Sequence, residues 1–217
     1  MNLFITGIDT DAGKTYVSTL LVRALREAGL DTAPMKPFCC GSREDAEKLH
    51  EACGRSVPLD EINPVYFASP TAPYTAAKLE HRPVDVPAVL AAFQRLRAAH
   101  RSVIVEGVGG WMVPITRDYY VADLAADMGF PVAVVVRNRL GALNHALLTV
   151  RDLERRGLKF AGIIFNRAEP ENDPAAATNR ELLEELLGAP ILFEVAPGQA
   201  ALEVSEVQTR LGGKSFP

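Results

Sequence analysis

Short apolar runs alternate along this chain with longer stretches in which apolar residues return every three or four positions. The runs Leu3–Thr6, Thr32–Met35, Val103–Glu106, Val132–Val136, Gly162–Phe165 and Ile191–Val195 show little polar alternation, so they read as strands buried on both faces. After the first run, Val17, Leu20, Leu21, Ala24, Leu25 and Ala28 fall on one side of a helix that Gly29 stops. Leu143 to Arg156 before Gly157, and Glu181 to Leu187 before Gly188, repeat that plan. Strands without a polar face, separated by helices, predict an α/β fold with a mostly parallel sheet and helices on both faces.

The stretch from Pro58 to Pro87 breaks the rhythm, with prolines at 58, 64, 70, 73, 83 and 87. Residues 64–67 read as a short strand and the rest as ordered loop and short helix. Such an excursion often covers the ligand edge of an open sheet. No internal repeat, low-complexity tract or linker divides the 217 residues, so one domain over 1–217 is expected. The tail after about Gly198 carries no assignable pattern.

Composition narrows the function classes. A net charge of −4 and a pI near 5.6 leave no excess of Lys and Arg to neutralise nucleic-acid phosphates. Cys39, Cys40 and Cys53 form no CxxC pair and leave an odd count, which suits reduced thiols. No apolar run approaches 18 residues and the N-terminus enters a strand at once. The expectation is a cytoplasmic protein with neither membrane nor nucleic-acid partner.

Chemistry concentrates at the strand ends. Residues 4–25 read FITGIDTDAGKTYVSTLLVRAL, a strand, a glycine loop and a helix opening at Lys14. The pattern G-x-x-x-x-G-K-[ST] asks for glycine at position 8, which is Ile8 here, and Gly7 comes one residue early. The flanking strand and helix still make a phosphate cradle, with a wider loop reaching over the γ-phosphate and the helix dipole adding positive charge. Gly13 allows close approach, Lys14 reaches the β- and γ-phosphates, and the Thr15 hydroxyl is placed for Mg²⁺. Lys36 leaves the end of the second strand towards the same crevice or lies solvated there. Asp45, in Ser42-Arg43-Glu44-Asp45, is a second acid candidate, with Glu44 as its alternative. Val103-Ile104-Val105-Glu106 followed by Gly107-Val108-Gly109-Gly110 is a Walker-B-like strand end whose carboxylate can hold Mg²⁺ directly or through water. Asn166 ends another apolar strand, as an amide for an adenine edge or as a turn former. His50, His81, His100 and His145 lack metal-ligand spacing, and no Gly-x-Ser-x-Gly elbow occurs. The residues describe a P-loop NTPase-like, Mg²⁺-nucleotide enzyme with an extra lysine beside the γ-phosphate.

In that order, the segments from Thr6 to Thr15, Lys36-Pro37, Asp45, Asn63-Pro64, Pro70-Thr71-Ala72-Pro73, residues 106–111 and 140–146, and Asn166 resemble the dethiobiotin synthetase family up to about Gly198. The long phosphate loop is that family's form, with Gly7 its first glycine. The resemblance implies a ligase of biotin biosynthesis that joins 7,8-diaminopelargonate and CO₂ at the expense of MgATP, through a carbamate and a carbamic–phosphoric anhydride. It implies Lys14 and Lys36 as catalytic groups and Thr15, Asp45 and Glu106 as Mg²⁺ ligands. It places ATP on Asp11, Ala12, Gly13, Lys14, Thr15, Glu106, Gly109 and Asn166, and substrate on Thr10, Cys40, Gly141, Leu143 and Asn144. It also implies a homodimer in which the partner's Gly141 to Asn144 segment holds the substrate carboxylate. One departure stands out: the family usually has serine where this chain has Cys40, preceded by Cys39, and a thiol donates poorly. The competing class is a partitioning or positioning ATPase of the same broad fold. Those proteins carry a second lysine early in the loop, where this chain has Asp9 and Asp11, and the Val204–Leu211 segment is short and not basic.

Overall fold

A computed structural model describes residues 1–167, 174–188 and 191–211. Eight strands and nine helices are seen among them: β1 (Asn2–Gly7), α1 (Lys14–Glu27), β2 (Thr32–Met35), β3 (Phe38–Cys40), α2 (Glu44–Ala52), α3 (Leu59–Ile62), β4 (Val65–Phe67), α4 (Pro73–Leu79), α5 (Val86–Ala99), β5 (Ser102–Gly110), α6 (Val121–Met128), β6 (Val132–Arg137), α7 (Ala142–Arg155), β7 (Phe160–Asn166), α8 (Pro174–Leu187), β8 (Ile191–Val195) and α9 (Val204–Leu211).

The six expected apolar runs are the six strands of one parallel sheet, in the order β2-β5-β1-β6-β7-β8. Phe4, Ile5, Val105, Val134 and Ile164 are fully buried because helices cover the sheet on both sides. The chain moves one way across the sheet from β1 to β2 and the other way through every later crossover. Right-handed connections therefore put α1 on one face and α5 to α8 on the other. Helix α1 carries α2 and α9 against its outer flanks. Reversal of the winding direction beside β1 opens a crevice at the carboxyl ends of β1, β2 and β5, the place where ligands of such sheets bind.

Within the proline-rich excursion the expected strand at 64–67 appears as β4. It pairs in parallel with β3, a strand that three residues after Lys36-Pro37 did not reveal, to form a separate two-stranded sheet. Pro87 closes no loop. It sits in the first turn of α5, where its missing N–H costs nothing, and the Asp85 side chain caps that turn by accepting from Ala88 N–H at 2.9 Å. The tail after Gly198 contains a helix: α9 lies on α1, with Leu202 and Val207 buried, and residues 212–217 lie outside the described residues. No described helix is long and apolar enough to cross a membrane.

Candidate active site

Strand β1 delivers Gly7 to the sheet edge, where its pairing with β5 shifts register between Ile5 and Gly7 and the chain leaves as a loop. A Cβ on Gly7 would lie 3.0 Å from Ala12 Cβ, Asp9 O and Lys14 Nζ, so the wide loop closes only over a glycine. Asp11 and Gly13 take left-handed conformations (φ 59° and 92°), and Gly13 is the N-cap of α1. A Cβ there would come within 1.9 Å of Asn166 Nδ2, which donates to Ala12 O at 3.0 Å. Asn166 thus braces the loop from strand β7, beyond β6 in the sheet. Thr10 N–H donates to Asp9 Oδ1 at 2.7 Å, which fixes the loop's crest.

Lys14 opens α1 but bends back, donating to Asp9 O at 3.1 Å, and is only 6% exposed. Burial, reinforced by the neighbouring Lys36 ammonium, pushes its pKa down to about 8. Lys36 departs from the expected solvated crevice. At 3% exposure it is buried, its Nζ 2.6 Å from Glu106 Oε1, 3.0 Å from Asp45 Oδ2 and 3.3 Å from Gly107 O. Burial alone would lower its pKa, but the Glu106 and Asp45 carboxylates override it and hold the ammonium above the ordinary lysine range. Burial likewise opposes ionisation of Asp45, yet Lys36 and Thr15 hold that carboxyl below its usual range. The adjacent acid is turned away: Glu44 pairs with Lys48 at 2.7 Å on the outer face of α2.

Glu106 is wholly buried at the bend of β5. Its Oε1 accepts from both Lys36 and the Thr15 hydroxyl (2.7 Å), whereas Oε2 is buried with no hydrogen-bond partner among the described residues. An orphaned carboxylate oxygen beside a hydroxyl and a second carboxylate is a hard-oxygen donor set suited to Mg²⁺. Among the described residues no three His, Cys, Asp or Glu side chains group as a metal site. Two carboxylates and one hydroxyl fit a metal that relies on phosphate oxygens and water for its other ligands, the usual manner of nucleotide-bound Mg²⁺.

Lys14, Thr15, Lys36 and Asp45 open into a cavity of about 600 Å³ whose wall also includes Thr10, Asp11, Gly13, Cys40 and Gly109, whereas Ala12, Glu106 and Asn166 are buried and do not line it. Gly109 (φ 59°) faces Thr10, and a Cβ there would press Val113 at 2.7 Å. The Cys40 side chain packs on Phe67, Ala76 and Ala77, and burial pushes the thiols of Cys39 and Cys40 up to about 11, so both stay protonated at neutral pH. Gly141, Leu143 and Asn144 are not part of this wall. They form the start of α7, where Gly141 (φ 89°) is the N-cap and Leu140 stands 80% exposed. Three features had no role assigned from the sequence. Ser42 and Thr71 add hydroxyls to the wall, Tyr16 ties α1 to the turn after β8 by donating to Gln199 O at 2.6 Å, and Asn63 is buried behind Lys36. Asn63 and Thr71 left a signal, as the Asn63-Pro64 and Pro70-Thr71-Ala72-Pro73 segments that carry the resemblance.

A family model described as an AAA domain matches residues 1–202. The ATP-dependent dethiobiotin synthetase BioD of Akkermansia muciniphila is 49% identical over 210 residues, which span 97% of this chain and 99% of that protein. The chain belongs to the dethiobiotin synthetase family. The BioD protein of Anaeromyxobacter dehalogenans is 51% identical over 181 residues, 82% of this chain and 81% of its own. Beyond the dethiobiotin synthetases, a chain of the MinC:MinD cell division protein complex from Aquifex aeolicus superposes with a TM-score of 0.65, covering 100% of this chain and 97% of that one. At 14% identity that likeness shows a shared P-loop fold and nothing about activity.

Proposed function

We propose that this protein is an ATP-dependent ligase that closes the cyclic urea of dethiobiotin from 7,8-diaminopelargonate and CO₂, with Mg²⁺ as its cofactor. One observation carries the reading: Lys14, Lys36, Thr15, Asp45 and Glu106 meet at one sheet edge. They do so in a chain 49% identical, over nearly its whole length, to an ATP-dependent dethiobiotin synthetase. A nucleotide switch has no comparable support, since the MinD likeness concerns the fold.

In the proposed reaction one amine of the substrate adds CO₂ and loses a proton to give a carbamate. A carbamate oxygen then attacks the γ-phosphorus and ADP leaves. The second amine attacks the carbamoyl carbon of the mixed anhydride, phosphate departs, and the ring closes. Every charged species here is an anion beside an anion, so the protein's task is charge neutralisation and alignment. Lys14 is held over the phosphate loop by Asp9 O, where it can follow the β- and γ-phosphates. Lys36 presents a permanent ammonium on the opposite wall, aligned by Glu106 and Asp45, to meet the carbamate and the transferring phosphoryl group. Thr15, Asp45 and Glu106 are the residues that would hold Mg²⁺. When bound, the ion neutralises charge on the phosphate oxygens. Asp11, Ala12, Gly13 and Gly109 offer backbone to the nucleotide, Asn166 is assigned to its base, and Thr10 and Cys40 border the substrate. A protonated Cys40 packed on apolar neighbours donates weakly, so the substrate contact there is mainly one of shape.

We further propose a cytoplasmic homodimer in which α7 of the partner completes each substrate site. The first turn of a helix has N–H groups without intrahelical partners, which favours a carboxylate. Gly141 to Asn144 stand clear of their own chain's cavity, and Leu148 on the same helix is 64% exposed, which supports that arrangement. Phosphate release on adding diaminopelargonate, bicarbonate, ATP and Mg²⁺, with each omitted in turn, tests the reaction. Release that ignores the diamine would refute it. Gly141→Val should raise the KM for the diamine far more than that for ATP. Mixing it with Lys14→Met should restore activity through mixed dimers that carry one undamaged site, and failure to complement despite verified subunit exchange would sink the shared site.

A further inference from the structure

We infer that Asn63 is a positioning residue for Lys36 and Asp45, tying the strand end that carries the lysine to the helix that carries the acid. The inference rests on the ligase reading above, in which those two side chains serve the reaction. Its starting point is a gap in the sheet. Among the described residues strand β2 lies at the sheet's edge and pairs only with β5, and the last rung of that ladder joins Met35 to Val105. Lys36 is one residue beyond it, and Pro37 has no N–H with which to extend the pairing. The sheet therefore does not fix the backbone of this lysine.

Residues 62–65 do so instead. Lys36 N–H donates to Ile62 O at 2.7 Å, Val65 N–H donates to Pro37 O at 3.2 Å, and between them Asn63 Nδ2 donates to Lys36 O at 2.8 Å. The same amide nitrogen also donates to Val65 O at 2.9 Å, so both of its hydrogens are used. Its oxygen faces the other way and accepts from Arg43 Nε at 3.0 Å, while Arg43 Nη2 donates to Asn63 O at 3.1 Å and Asp60 Oδ1 at 2.8 Å. Arg43 is the N-cap residue of α2, two positions before Asp45. One buried amide thus spans the main chain of Lys36 and the entrance of the helix that bears Asp45, whose carboxylate meets Lys36 Nζ at 3.0 Å. No other residue type of this size offers two donors on one side and an acceptor on the other. The arrangement sets the distance between a cation and an anion that must both face the transferring phosphoryl group, where small misplacements cost rate steeply.

Asn63→Asp keeps the shape and the acceptor for Arg43 but sets a carboxylate oxygen against two carbonyl oxygens. In the full-length enzyme with saturating substrates, kcat should fall about tenfold to a hundredfold while the KM for ATP stays within about threefold. The discriminating measurement is the same substitution in a Lys36→Met background, followed by single-turnover phosphate release. If Asn63 acts through Lys36, the further loss there should stay under about threefold, because coupled residues are not additive. Arg43→Gln, which alters a partly exposed side chain, is the second variant should Asn63→Asp fail to fold. It too should lower kcat without a matching rise in the KM for ATP, and should be nearly silent in a Lys36→Met, Asp45→Asn background. Equal fold losses in both backgrounds, or a KM for ATP that rises in step with the loss of kcat, would make Asn63 a structural residue only and overturn the inference. A wild-type enzyme that releases no phosphate in response to the diamine overturns the ligase reading, and this inference with it.

Discussion

Two charged networks lie on either side of the glycine-rich end of β5, and they are built to opposite standards. On one side Glu106 and Asp45 face Lys36 and Thr15, with Glu106 Oε2 buried and unpaired among the described residues and Lys14 held where burial disfavours its charge. On the other, Trp111 donates from Nε1 to Asp152 Oδ2 (2.9 Å) on α7. The same carboxylate accepts from Arg156 Nε and Arg155 Nη2, each at 2.6 Å. Arg156 continues to Asp123 Oδ1 (2.7 Å), whose other oxygen accepts from Tyr120 N–H as a helix cap. Every acceptor in this second network has its donor. A finished network holds elements together, whereas an unfinished one keeps bonding capacity for something that arrives later. The contrast locates function by what the fold leaves undone.

The largest effect should come from Lys36→Met. Turnover should fall at least about a hundredfold, the scale for losing a preorganised charge at a reacting centre. Because the lysine is buried against a wholly buried Glu106, the variant should also lose roughly 3 kcal/mol of stability, the low end for removing one partner of a buried pair. Thermal unfolding and single-turnover rates measured on the same sample separate the two losses. Near-normal turnover would remove Lys36 from the chemistry.

Asp152→Asn probes the finished network. It should cost about 1.5–3 kcal/mol, the usual worth of hydrogen bonds to a charged group, and leave turnover within about twofold. Burial opposes ionisation of Asp152, but hydrogen bonds from Arg155, Arg156 and Trp111 outweigh it and hold the pKa at about 2. A depressed carboxylate pKa gives stability that is present above the unfolded value, near 3.9, and lost as pH falls through the folded one. The difference in Tm between wild type and variant should therefore shrink between about pH 4 and pH 2. A variant that kept its stability but lost its rate would erase the distinction between the two networks.

Glu106→Gln returns to the unfinished side with a smaller step, since it keeps shape and removes one charge. The Mg²⁺ concentration for half-maximal rate should rise about tenfold, in line with a lost ligand charge on a cation that depends on carboxylates. An unchanged Mg²⁺ titration would take Glu106 out of the metal's surroundings. Running the titration on Asp45→Asn and Glu44→Gln together should move only the first, because Glu44 already faces Lys48.

What the sequence made legible follows the same division. The six sheet strands could be read because each is apolar on both faces, and the phosphate loop because Gly7, Gly13, Lys14 and Thr15 are contiguous. Glu106 was readable as an acid ending an apolar strand before glycines. The burial of Lys36 was not, since it depends on a carboxylate 70 residues later in the chain. Asn63 had the same obstacle: nothing local announces that its amide will meet Lys36 O and Arg43 at once. Strand β3 and helix α9 were hidden for another reason. Three residues, or eight, make a weak periodic signal, and both elements owe their order to partners (β4 and α1) that only the fold supplies.

The smallest predicted effect concerns Lys14 and pH. Burial, with help from Lys36, lowers its pKa to about 8 in the free protein. An ammonium attracts the nucleotide's phosphates and a neutral amine does not, so ADP affinity should weaken as pH rises through 8. The change should be a few-fold between about pH 7 and 9, because bound phosphate itself favours the charged form and pulls a proton back onto the lysine. Proton uptake on binding near pH 8.5 should be visible by calorimetry in buffers of different ionisation enthalpy. The sign for stability is opposite. Between about 8 and the ordinary value of 10.5 the unfolded chain holds a proton that folded Lys14 has released, so the contribution of this group to stability rises with pH across that window. Lys14→Met should flatten both dependences. Should wild type and variant show the same slope for ADP, the lysine is not the group that titrates.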